Sequence, residues 1–148
     1  CNCLATFSRA LLTDVGAGIP FYEKAFGAAE LQRWSNDDGS VHVAELSIDG
    51  ALFHLHQEIT RNTELSPASL KGTTVLIGLF VADPRATMER ALASGGIELS
   101  PVQDYDYDYT QGTIADPFGH HWYVATHIEN VTPANLKKRA AELFGKKK

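Results

Sequence analysis

The chain has 148 residues, 44% hydrophobic and 21% charged, with 13 Lys+Arg against 18 Asp+Glu for a formal net charge of −5. That is chain enough for one buried core, in the proportions of an ordinary folded domain. No apolar run approaches the roughly 20 residues that cross a bilayer, and the acidic balance lacks the basic footprint of a nucleic-acid binder, so neither a membrane nor a nucleic-acid partner is expected.

The charge is uneven. Residues 134–148 hold six basic side chains and one acid, a local +5, which leaves −10 on the first 133 residues. The basic end reads as a solvated helix. Cys1 and Cys3 are the only cysteines. They offer neither a disulfide framework nor the four ligands of a structural zinc site. A reducing, cytoplasmic setting is expected.

The predicted elements follow in chain order. Residues 4–13 are apolar enough for a buried strand. Asp14 can cap the helix that follows. Pro20 is unfavourable inside a helix, so the regular part is expected to begin near it, and Gly27 closes it. Residues 29–34 form a short strand. Asn36-Asp37-Asp38-Gly39 is a turn signal, Val41-x-Val43-x-Glu45-x-Ser47 alternates as a strand, Asp49-Gly50 turns again, and residues 51–57 form another strand. Residues 59–72 are polar and weakly periodic, a linker. The pattern then restarts: a strand over 73–82, Asp83 and Pro84 opening a helix that closes at Ser94-Gly95-Gly96, and strands over 97–102, 111–115 and 120–127. A basic helix is expected over 132–148, capped by Thr132.

The two halves superimpose along the sequence. Asp14 and Asp83 are 69 residues apart, as are Gly50 and Gly119, and Gly27 precedes Gly95 by 68. The near-constant offset predicts a duplicated β-α-β-β-β unit: module 1 over about 4–58, module 2 over about 73–127, together with the tail one domain over 1–148. A helix covers one face of such a sheet, and the other face must be buried or close around a ligand.

Two motifs are more specific: Phe21-Tyr22-x-x-Ala25-Phe26-Gly27-Ala28, and Asp116-Pro117-Phe118-Gly119-His120-x-Trp122 running on to Ala125-Thr126-His127. With the paired modules, they make residues 4–130 resemble the vicinal oxygen chelate superfamily, which includes glyoxalases, bleomycin-resistance proteins and ring-cleaving dioxygenases, and in particular its PhnB-like branch. The resemblance implies an α+β fold in which the modules curl a mixed sheet around a small-molecule cavity, with a C-terminal helix, in a homodimer.

Metal-dependent members place His or Glu at four positions, which here are Phe7, His54, Leu76 and Tyr123. A catalytic divalent-metal site generally needs three N, O or S ligands, so no metal and no other cofactor is expected. His54-x-His56-x-Glu58 offers a second ligand set on one strand face, though without the spacing of a cupin. If these positions face the cavity, period-two alternation adds Arg9, Leu52, His56, Phe80 and His121 to its lining. Arg9 would need an anion, either a ligand's carboxylate or phosphate or a protein acid such as Glu45. The alternating Asp104–Tyr109 run brings Tyr107 over the mouth as a lid, or packs against a dimer partner.

These features predict a protein that binds a small molecule without the superfamily's usual metal. The alternatives are a metal-free isomerase or epimerase that moves protons through His54, His56 or Tyr123, and a metal-dependent lyase or dioxygenase.

Overall fold

The structure, a computed structural model, describes residues 7–128 and 132–145. Cys1, Cys3 and residues 146–148 lie outside it. Its elements are β1 (Ser8–Leu12), α1 (Val15–Phe26), β2 (Ala29–Ser35), β3 (Val41–Ile48), β4 (Ala51–Gln57), a 3-10 turn (Thr60–Asn62), α2 (Pro67–Leu70), β5 (Leu76–Phe80), α3 (Pro84–Ala93), β6 (Ile97–Tyr105), β7 (Tyr109–Ala115), β8 (His121–His127) and α4 (Pro133–Gly145).

The fold is the α+β arrangement of two β-α-β-β-β modules. Each builds its own four-stranded mixed sheet, in the orders β1-β4-β3-β2 and β5-β8-β7-β6, and the two do not close into a barrel. In both, the first strand runs parallel to the last while the remaining pairs are antiparallel hairpins. A parallel pair needs a crossover, and each module's helix supplies it.

The helix ends follow the chemistry of their caps. The Asp14 carboxylate accepts from Ala17 N at 3.0 Å, and Asp83 accepts from Arg85 N and Ala86 N, each at 3.0 Å. Gly27 ends α1 with φ +69°, a conformation that costs a side chain energy. Pro20 does not mark the start of α1. The helix begins five residues earlier and carries Pro20 inside it. Pro20 sits on the exposed side, so the carbonyl it leaves unpaired is open to water.

The helix-side faces of both sheets share one core. Ala10, Leu12, Phe53 and Leu55 from module 1 join Ile114, Trp122 and Val124 from module 2, with α1 and α3 packed between. The Trp122 ring centroid lies 4.7 Å from that of Phe26, 5.2 Å from Phe53 and 5.6 Å from Tyr22. The FYxxAFGA and DPFGHxW motifs are therefore the two sides of a single aromatic cluster.

Two segments differ from expectation. The linker is ordered: the Ser66 side chain caps α2, and the Glu58 carboxylate accepts from Ser66 N and Ser69 Oγ, each at 2.9 Å. Glu58 is thus engaged in a turn and does not act as a third donor beside His54 and His56. The Tyr run is a tight hairpin, with β6 extending to Tyr105 and β7 starting at Tyr109, where a longer loop was expected.

Candidate functional site

Each sheet turns its second face outward, and the residues predicted for the site lie on those two faces. Phe7, Leu52, Leu76 and Phe80 are 53%, 41%, 55% and 69% exposed. Beside them, Ala10, Leu12, Phe53 and Leu55 point into the core and are at most 3% exposed. Strand alternation produces this division: one face of each strand feeds the core and the other presents apolar side chains to solvent.

On the first sheet the structure brings together Phe7, Arg9, Leu52, His54 and His56. β1 and β4 pair Arg9 with His54, and β3 and β4 pair Glu45 with His54, so cation, imidazole and carboxylate stand in one row across three strands. Glu45 Oε2 is 3.2 Å from His54 Nε2. The Phe7 ring stacks on His54 with centroids 4.2 Å apart, and the His56 ring lies parallel to His54 at 6.0 Å. Arg9 does not pair with Glu45. Its guanidinium reaches Glu64, from the turn after β4, at 3.5 Å. Burial pushes His56 below the ordinary imidazole range, and the charges of Arg9 and His54 add to this.

The second sheet carries an aromatic strip. Phe80 stacks on His127 (5.3 Å, 4° between planes), His127 contacts Tyr109 (4.4 Å), and Tyr109, Tyr107 and Tyr105 follow at 6.1 and 5.1 Å. Gln111 orients two of the phenols: its Oε1 accepts from the Tyr123 hydroxyl, while its Nε2 donates to Tyr107 Oη at 2.7 Å. Burial raises the Tyr123 pKa, and Tyr107, Tyr109 and Tyr105 raise it further. Leu76 and His121 pair in register at one end of this face. Tyr107 is anchored within the strip by its neighbours and Gln111, which the lid reading did not foresee.

The four positions that the resemblance marks for metal ligands therefore carry Phe7 and His54 on one sheet, Leu76 and Tyr123 on the other. Among the described residues no group of three or more His, Cys, Asp or Glu side chains is placed to hold a metal ion. One imidazole, one phenol and two hydrocarbons do not fit the donor set such a metal requires.

Two grooves run along the ends of these rows, one reaching Phe80 and the other Arg9. One of about 540 Å3 runs between the β3–β4 turn and residues 78–83, and one of about 370 Å3 runs between β1, the linker and β5. Neither is lined by His54 or Tyr123. The residues that sequence reasoning missed are Glu64 and Gln111, together with the role of Glu45. The Glu45–His54 pairing was recoverable, because the two-residue turn Asp49-Gly50 pairs Ile48 with Ala51 and hence Glu45 with His54 three steps back.

Duplicated modules, a shared aromatic core and outward sheet faces define a class, and comparison with known proteins gives the same one. The chain belongs to the Glyoxalase/Bleomycin resistance protein/Dioxygenase superfamily, whose family profile matches residues 10–124. An uncharacterised protein of Mycobacterium tuberculosis is 36% identical over 124 residues, covering 82% of this chain and 73% of the relative. The structure resembles that of an Arabidopsis thaliana gene product (TM-score 0.67, 25% identity, covering 83% of this chain and 98% of that one). It shares its fold with the PhnB protein of Bacillus cereus (TM-score 0.61, 17% identity, covering 83% of this chain and 99% of that one). No helix among the described residues is long and apolar enough to cross a membrane.

Proposed function

We propose that the protein binds a small organic molecule on the outward sheet faces, without the metal that many superfamily members use, and that a second copy of the chain closes the cavity. One observation carries this reading: both faces expose large apolar and aromatic side chains interrupted by a few placed polar groups. That is the composition of a ligand pocket rather than of a solvated sheet. The aromatic strip from Phe80 to Tyr105 gives a planar ligand a stacking surface. The row through Arg9, His54 and Glu45 gives it polar anchors. The donor set at Phe7, His54, Leu76 and Tyr123 supports the metal-free part of the reading.

A thermal-shift screen against planar aromatic antibiotics and metabolites tests this. A ligand at a hundred times its Kd should stabilise the protein by about 2.7 kcal/mol. Phe80→Ala and Tyr107→Ala should each shrink the ligand-induced shift measured from that variant's own ligand-free melting temperature. A ligand whose effect survives both substitutions would place the site elsewhere.

A further inference from the structure

We propose that the groove between β1, the linker and β5 is a second binding site, separate from the outward sheet faces, for a small neutral molecule with an apolar body and one hydroxyl, an alkylphenol in class. The groove holds about 370 Å3, within the range of small-molecule pockets. Leu11, Leu65, Pro67, Leu70, Val75 and Ile77 give it apolar walls. Leu70 and Val75 are 60% and 62% exposed, so packing in the core does not account for them. The linker wall is fixed in place. The Glu58 carboxylate accepts from Ser66 N and Ser69 Oγ at the start of α2. Gly119 stands so close to α2 that a Cβ there would lie 3.1 Å from Pro67 Cβ.

One buried side chain defines the polar end of the ligand. His120, beside Gly119 on the turn between β7 and β8, lines the groove and is only 8% exposed. Its Nδ1 faces the Asp116 carboxylate at 3.3 Å. That carboxylate accepts from Tyr22, Trp122 and two backbone amides, which keeps it anionic. An anion on that side favours the imidazole tautomer with its proton on Nδ1, so the lone pair lies on Nε2. Nε2 has no hydrogen-bond partner among the described residues, yet it is not sealed inside the protein. It is therefore an acceptor at the edge of an apolar groove, and a ligand O–H is the group that satisfies it. Arg9, also in the lining, already has its counter-ion in Glu64. The Thr73 hydroxyl is engaged with the backbone of Val75. The groove thus offers one free acceptor and no unpaired charge among these groups, which fits a neutral hydroxyl compound rather than an acid.

The test is titration of the full chain with 4-propylphenol and, separately, with its methyl ether, followed by calorimetry and by backbone amide shifts. The phenol should shift residues 65–75 and His120. It should bind about tenfold more tightly than the ether, which has no proton to give and leaves Nε2 unpaired. In His120→Phe the phenol and the ether should bind alike. If that variant does not fold, the comparison of the two compounds on the wild-type chain still decides. A Leu70→Ser, Val75→Ser double variant, at two exposed positions, should weaken both compounds by the same factor, about tenfold. Equal affinity of phenol and ether for the wild-type chain overturns the proposal, and so does a difference between them that survives His120→Phe. Shifts centred on His54 and Tyr123 with residues 65–75 unmoved also overturn it, as does the absence of binding by either compound at low-millimolar concentration. The result is independent of the outward-face reading, which is tested through Phe80 and Tyr107.

Discussion

A single carboxylate, Asp116, ties the two modules together. Its Oδ2 accepts from the Tyr22 hydroxyl of module 1 at 2.6 Å and from Trp122 Nε1 at 2.9 Å. Its Oδ1 accepts from the backbone amides of Phe118 and His120, each at 2.9 Å. Nδ1 of His120 lies 3.3 Å from Oδ2, without the alignment of a full hydrogen bond. Burial pushes the Asp116 pKa up, but His120 and the donors from Tyr22 and Trp122 outweigh it and hold the group below the usual carboxylate range. Burial, with Asp116's charge beside it, pushes the Tyr22 hydroxyl well above its ordinary value.

Asp116→Asn should therefore destabilise the fold by about 3 kcal/mol, because either orientation of the amide turns an N–H toward existing donors. Chemical denaturation at neutral pH measures it. The folded-state pKa is depressed, so the stabilisation is fully present above the ordinary carboxylate value of about 3.9. It is lost as pH falls through the lower folded value. Wild-type stability should fall more steeply than that of Asp116→Asn across that acidic range, and parallel profiles would show that Asp116 is not held ionised.

At the scale of elements, the sequence made legible those features whose cause is local. Asp14 and Asp83 cap their helices as side-chain chemistry predicts, and Gly27 takes the left-handed conformation that ends α1. Asp83→Ala removes two bonds to orphan amides and should cost about 1 kcal/mol, read as a lower melting temperature. What could not be read depends on which side of an element faces water. Pro20 fits inside α1 only because its face is exposed, a fact of packing. Arg9's partner, Glu64, comes from a turn whose path no local pattern dictates.

Close packing of helix on sheet was similarly hidden. A Cβ added to Gly18 would stand 2.5 Å from Leu12 Cδ2, and Leu12 is fully buried with no room to swing aside. Gly18→Ala should cost about 1–3 kcal/mol, measurable in urea. Little or no loss would mean that α1 can lift off the first sheet.

At the scale of the molecule, the duplication was legible as a constant offset and reappears as two sheets of identical strand order. What the sequence left undetermined is how the halves meet. Alternation already put Phe80 on the face away from the core, but only the fold shows that Trp122 of module 2 packs on Phe26 and Phe53 of module 1. The exposed rows are the feature the account must explain, since a monomer gains nothing by hydrating them. Light scattering at micromolar concentration should return twice the 16.1 kDa chain mass. A Leu76→Glu, Phe80→Glu double variant should return a single chain mass with helix content unchanged. A wild-type monomer would remove the second copy from the account.

The central claim is that ligands bind on the outward sheet faces. Backbone amide shift mapping during titration with whichever ligand stabilises the protein most tests it directly. The shifts should concentrate on β1, β4, β5, β8 and the Tyr105–Tyr109 hairpin. Shifts confined to α3 and residues 81–83, or to residues 65–73 of the linker, with His54 and Tyr123 unmoved, would contradict it.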